Sequence, residues 1–262
     1  VLGSAAGGGF PQWNCNCENC TEARSVGSTA RTVTPRTQSS IIVGDGASSA
    51  WVLINASPDI LSQIRATPCL QPARARRDSG IAAVLLMDAQ IDHVTGLLML
   101  REASKPLPIY ATAPVFSDLR GSLPLLNVLS HYCGTEAHIL AADGSSFAIP
   151  ALEGVSFSAV PLTSKAPPYS PHRNDPQLGD NIGLTIKDDL SGRTAFYAPG
   201  LGRMEPAVEA AMRAADVLLL DGTFWTEDEM INLGLSSKPA SEMGHIPQSG
   251  PGNMIEILNE YS

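Results

Sequence analysis

Apolar positions along the chain fall into short runs rather than long stripes. Ile81–Met87 (IAAVLLM) is a continuous apolar run bounded by polar residues, the pattern of a strand buried on both faces. Ser39–Val43 and Trp51–Ile54 are β-rich runs parted by the turn GDGASS, which predicts a hairpin. Ile182–Lys187 and Arg193–Ala198, turned at Asp189–Gly192, predict a second one. Pro108–Thr112, Ser156–Leu162 and Val217–Leu220 read as further strands. Helices are predicted at Ile60–Arg65 after the turn NASPD, at Val94–Arg101, within Phe116–Leu129, at Pro206–Ala215 and at Gly252–Leu258. The opening VLGSAAGGGF starts as a strand and then turns through glycines; that turn serves either to connect or to line a pocket with backbone amides. Residues 163–181, TSKAPPYSPHRNDPQLGDN, are a loop dense in Pro, Asp and Asn. Two halves, each a hairpin followed by strands and helices, predict an α/β fold, a four-layer αββα sandwich. No repeat of fixed period and no linker interrupts it, so residues 1–262 read as one domain.

Composition narrows the function. With 44% hydrophobic residues the chain can build a sizeable core. A formal net charge of −9 without a basic patch argues against nucleic acid. No apolar run approaches the roughly 18 residues of a membrane span, and no secretory n-region or cleavage site opens the chain. The start at Val1 rather than Met reads as a trimmed N-terminus. The five cysteines are not spread as a disulfide framework, which points to metal binding in a reducing compartment and a cytoplasmic location.

Cys15, Cys17 and Cys20 form C-x-C-x-x-C. Three thiolates this close can wrap one tetrahedral, structural Zn²⁺, with the fourth ligand from elsewhere; the alternative is three incidental buried thiols. The second constellation is LLMDAQIDHVTGLLML, where Asp88, Gln90, Asp92 and His93 follow a buried strand and open a helix, with Gly96 allowing close packing. Aspartate and imidazole together suit Zn²⁺, Mn²⁺ or Fe²⁺. The plain alternative makes Asp92 a helix N-cap and His93 a surface residue of the first turn.

This D-H-x-x-G-L pattern resembles the H-x-H-x-D-H-x-x-G motif of the metallo-β-lactamase superfamily. Aligned on Asp92 and His93, the chain carries Asp88 and Gln90 where that superfamily has its two leading histidines. The strings FPQWNCNCENC, RTQSSI, NASPDI, QIDHVTGLL, APPYSPHRNDP, GDNIGL, FYAPGLG, LLLDGT and EMGHIPQSGPGNM resemble, along nearly the whole chain, the branch that serves pyrroloquinoline quinone (PQQ) biosynthesis. Members of that branch are expected to continue past Ser262 through a strand and a histidine-bearing segment, so this end too reads as trimmed.

The resemblance implies a single functional metal, Fe²⁺ with Zn²⁺ as the alternative, held by Asp92 and His93. His172 lies where the superfamily places its third metal histidine, and it and Arg173 are also candidate substrate contacts. Asp221 projects from the end of the strand VLLL and is a further candidate ligand. His245, in EMGHIPQSG, resembles the site-facing loop histidine of ribonuclease Z-like members. It joins Asp88 and Gln90 as a candidate for acid–base work, and for His245 and Asp221 the ligand and acid–base roles both stay open. The superfamily's bridging aspartate position is occupied by Pro199–Gly202. His131 and His138 show no such pattern and read as structural. Three functions follow as expectations. One is hydroxylation of the tyrosine ring of a Glu-Tyr precursor of PQQ, alongside other PQQ biosynthesis proteins. The second is a carrier that helps PQQ or its precursor toward the periplasm. The third is a metal-dependent hydrolase.

Overall fold

A computed structural model describes residues 1–25, 33–46 and 49–261 of the chain. Its contacts group into two units. The first comprises Val1–Leu86, Gln90–Ile109 and Leu125–Glu136; the second comprises Met87–Ala89, Tyr110–Pro124 and Ala137–Ser262.

The first unit opens with α1 (Glu18–Arg24), β1 (Ile41–Val43), β2 (Trp51–Ile54), α2 (Ile60–Ala66) and β3 (Ile81–Leu85). β1 pairs antiparallel with β2, and β2 pairs parallel with β3, so the central strand is apolar on both faces. Val52, Leu53, Ile54, Val84 and Leu85 are fully buried in this sheet. At about 1.5–3 kcal/mol for each fully buried aliphatic side chain, these positions are a main support of the unit. α3 (Ile91–Val94) follows, then a 3₁₀ segment, Thr95–Leu100. β4 (Leu107–Thr112) and β5 (Thr135–Leu140) begin here, completing the order β1-β2-β3-β4-β5.

The second unit carries α4 (Ala113–Arg120), β6 (Ser146–Ala148), β7 (Val155–Pro161), β8 (Ile182–Asp188), β9 (Thr194–Ala198), α6 (Pro206–Ala214) and β10 (Val217–Leu220). α5 (Leu125–Leu129) belongs to the first unit. The second sheet has the order β10-β9-β8-β7-β6, antiparallel except for the parallel pair β9–β10. Val208 and Met212 of α6 pack with Val160, Phe196, Ala198 and Leu201 in one apolar cluster. Short helices α7 (Glu229–Asn232), α8 (Ala240–Met243) and α9 (Met254–Asn259) finish the chain.

Most predicted elements are present, and the departures have physical causes. The helix expected at Val94–Arg101 is one turn of α3 followed by 3₁₀ structure. The Gly96 N–H leaves the helical ladder to donate to the Ala56 carbonyl at 2.9 Å. A Cβ on Gly96 would lie 2.1 Å from the Ser57 oxygen, so only glycine permits this approach. The single helix expected within Phe116–Leu129 is two, α4 and α5, parted by Gly121–Pro124, because the residue before a proline disfavours helical backbone. The opening strand is reduced to isolated bridges, Gly3 to Ser40 and Ala5 to Gln38. β5, β6, α1, α7 and α8 went unpredicted. Within the first predicted hairpin turn, GDGASS, residues 47–48 lie outside the described residues.

Candidate metal centres and histidine pairs

Four groups of candidate residues have defined geometry, two in each unit. In the first unit, Cys17 caps α1 and Cys20 lies in its first turns, so the helix start folds the motif back on Cys15. The three sulfurs lie within 4.8 Å of one another, and the Cys17 amide donates to the Cys15 sulfur at 3.4 Å. Thiolates on one tetrahedral zinc stand about 3.8 Å apart, from Zn–S bonds of about 2.3 Å. The donor set therefore fits a zinc ion with small rotamer adjustments. The Cys17 amide holds the Cys15 thiol below its ordinary pKa, whereas burial pushes the Cys20 thiol up to about 11.

Also in the first unit, Asp92 and His93 lie on α3, whose N-cap is Gln90. Asp92 is thus inside the helix and does not cap it, and His93 is only 6% exposed, which removes the plain surface alternative. The His93 Nε2 is 3.9 Å from the Asp92 carboxylate. The His93 carbonyl accepts from the Ala56 amide at 2.7 Å, and its own amide donates to Gln90, which fixes the backbone of the pair. The glycine turn closes on it: a Cβ on Gly7 would stand 3.2 Å from the Asp92 Oδ2. That turn is anchored in its own right. The Gly8 amide donates to the Gln38 side chain, and Gln38 donates from backbone and side chain to Asp59 at 2.9 and 3.0 Å.

In the second unit, Asp221 is buried at the end of β10. One of its carboxylate oxygens accepts from the Thr223 amide and hydroxyl at 3.0 and 2.6 Å; the other meets the His245 Nδ1 at 2.5 Å. The Phe224 ring stands edge-on to His245 at 5.4 Å. His245 also borders a cleft of about 420 Å³ with Arg203, Glu209, Glu227 and Tyr261 on its lining.

The loop 163–181 holds the last group. The His172 Nδ1 lies 3.4 Å from the buried Asp180 carboxylate, and the His172 amide donates to the Ser170 hydroxyl. Ser170 in turn donates to Asp118 at 2.9 Å. Burial raises the Asp118 pKa, against the lowering effect of the Ser170 bond. Tyr169 donates to the Ala89 carbonyl, and burial keeps its phenol protonated well above the usual range. Arg173 spends one guanidinium nitrogen on the Ala166 carbonyl, inside its own loop. Asp88 is buried and bridges to Asn181, next to the Ile182 amide bound to the Met87 carbonyl. The structure therefore brings Asp221 to His245 and Asp92 to His93. Asp180, Ser170 and Asp118 were missed by sequence reasoning; only the density of Asp in the loop could have pointed to Asp180. His138 stacks flat on Tyr110 at 4.3 Å, a packing role.

Comparison with known proteins decides what this arrangement belongs to. Residues 50–262 match the beta-lactamase superfamily domain. Coenzyme PQQ synthesis protein B of Cupriavidus taiwanensis is 64% identical over 260 residues, covering 99% of this chain and 84% of that protein. The protein of the same name from Cupriavidus necator is 61% identical, covering 98% and 83%. The chain belongs to the PqqB family. A zinc-bound PqqB from Methylobacterium extorquens superposes with a TM-score of 0.84 at 35% identity, over 100% of this chain and 85% of that one. A diphosphatase of the PhnP family shares the fold at a TM-score of 0.60 and 21% identity. The metallo-β-lactamase fold expected from the sequence is thus the fold of the chain, and its PqqB relatives give it a role in PQQ biosynthesis. No helix among the described residues is long and apolar enough to cross a membrane.

Proposed function

We propose that the chain is a metal-dependent oxygenase of the PQQ pathway that hydroxylates the tyrosine ring of a Glu-Tyr-derived precursor. The observation that carries this reading is the Asp92–His93 pair. It is an adjacent carboxylate and imidazole, fixed through backbone bonds at the start of α3, with Asp88 and Gln90 in place of the leading histidines of a dinuclear hydrolase. Asp92 and His93 would hold an iron(II) ion, with zinc as the alternative. When bound, iron with open positions supplies O₂ activation, which suits ring hydroxylation better than hydrolysis. One oxygen atom enters the ring and the other leaves as water, so a two-electron reductant must come from outside the chain.

The chain's own residues supply orientation and proton handling. Asp221 holds the His245 Nδ1–H, which leaves Nε2 as the atom that takes or gives a proton. Both oxygens of Asp221 are engaged by protein donors, which favours orientation of His245 over metal ligation. His172 and Arg173 are the candidate substrate contacts. Cys15, Cys17 and Cys20 would hold a separate, structural zinc, a reading supported by their three clustered sulfurs. Free thiols of this kind persist in a reducing compartment, which favours the cytoplasm.

The test combines anaerobic iron(II) loading, a Glu-Tyr substrate and O₂ in full-length protein. We expect oxygen uptake with ring hydroxylation. His93→Ala should lose the second metal and the activity while keeping the zinc and the fold. Tight binding of PQQ or its precursor without turnover would instead make the chain a carrier, and water-dependent bond cleavage a hydrolase. Normal PQQ formation by His93→Ala protein would remove the metal assignment.

A further inference from the structure

The loop 163–181 has no regular secondary structure, yet one histidine in it is held both at its ring and at its backbone. The His172 Nδ1 faces the Asp180 carboxylate at 3.4 Å, and its amide is bound to Ser170, itself bound to Asp118. Asp180, Ser170 and Asp118 are all buried, whereas the His172 side chain is 27% exposed. The Asp180 carboxylate is fixed by the backbone: its other oxygen accepts the Gln177 amide at 2.6 Å, and its own amide closes the turn on the Gln177 carbonyl. The next residue back, Gly179, has φ +94°, and its carbonyl accepts the Thr112 hydroxyl at 2.6 Å, tying the turn to the end of β4. The same pattern occurs at Asp221 and His245, where a buried carboxylate also meets Nδ1.

We infer that Asp180 is the positioning residue of His172: it holds the ring proton on Nδ1 and so presents Nε2 as the acceptor that meets substrate. A buried carboxylate beside one ring nitrogen sets which tautomer is present, and the tautomer decides what the other nitrogen can do. Asp118 acts one bond further out, by holding Ser170 and through it the His172 backbone. The inference rests on the reading of His172 as a site residue.

An Asp180→Asn substitution separates positioning from packing, because it keeps the shape. The Gln177 amide can only donate, so the new side chain must turn its carbonyl oxygen toward it. Its NH₂ group then faces the His172 Nδ1, and the ring proton moves to Nε2. The same logic explains the wrong tautomer produced when the aspartate of a serine protease triad becomes asparagine. The experiment is long-range ¹H–¹⁵N NMR of full-length protein labelled at histidine, with His172→Gln to assign the signal, alongside complementation of a PQQ-deficient strain. We expect the proton on Nδ1 in the wild type and on Nε2 in Asp180→Asn, with PQQ output reduced about 10–100-fold, the usual range for a residue that orients a functional histidine. A wild-type ring protonated on Nε2, or an Asp180→Asn ring that stays protonated on Nδ1, would overturn the inference, the first whether or not any variant folds. A flipped tautomer with undiminished PQQ output would overturn the other half, the assignment of His172 to the site.

Discussion

The cysteine cluster and the two aspartate–histidine pairs of the second unit, Asp180–His172 and Asp221–His245, are built on opposite plans. In the cluster, three donors within one short motif converge because a helix starts in their midst. In the pairs, each histidine meets a carboxylate 8 or 24 residues away, delivered by a turn or by the end of a strand. The first plan needs little from the rest of the fold. The second exists only once the fold has formed, so it is sensitive to changes that leave the histidine itself untouched. Stability should therefore depend most on the cluster, and chemistry most on the pairs.

The largest effect that could break this contrast is at the cluster. Cys17→Ser should remove the zinc and several kcal/mol of stability, since binding of structural zinc contributes directly to folding. A loss of about 3 kcal/mol would lower the melting temperature by roughly 10 °C in a chain of this length. Metal analysis and a melting curve test it, and a variant that keeps its zinc and melts normally would refute the structural role.

A smaller stability effect but a large functional one is expected at Asp221→Asn. The Thr223 amide demands the remaining carbonyl oxygen, so the amide group would face the His245 Nδ1 and force its proton to Nε2. PQQ formation should fall about 10–100-fold with little change in melting temperature. If activity survives while the tautomer flips, His245 handles no proton.

What the sequence made legible follows the same divide. The C-x-C-x-x-C spacing and the strand-to-helix step ending in Asp92 and His93 could be read directly, since neighbours in the chain stay neighbours in space. The fold's central strand, Ile81–Leu85, was legible because it is apolar throughout. β5 and β6 were not, since their mostly half-buried and exposed residues carry no apolar alternation. Asp180 and Asp118 were invisible for a different reason. An aspartate in a polar loop or on an amphipathic helix looks like solvent-facing charge until its burial is seen.

The smallest effect tests the outermost member of the His172 network. Burial raises the Asp118 pKa in the folded chain, so its favourable contribution is complete below the ordinary aspartate range and is lost as pH rises through the raised value. Asp118→Asn keeps an acceptor for Ser170 and removes the buried charge. Relative to wild type, its melting temperature should therefore rise between about pH 4, near the ordinary aspartate pKa, and neutrality. A gain of about 1 kcal/mol would appear as about 2–4 °C. A difference that is flat with pH would show that Asp118 does not ionise in this range.

The closeness of Gly7 to the Asp92 carboxylate bears on protein engineering. A glycine-rich turn is where a linker or a fluorescent insertion would ordinarily be placed. Here that turn touches the first candidate ligand, and the bridges Gly3–Ser40 and Ala5–Gln38 tie the residues before it to the segment ahead of β1. Any insertion between Ala6 and Gly9 would be felt at Asp92. The exposed reverse turn at Asp188–Gly192, between β8 and β9, is the safer graft point.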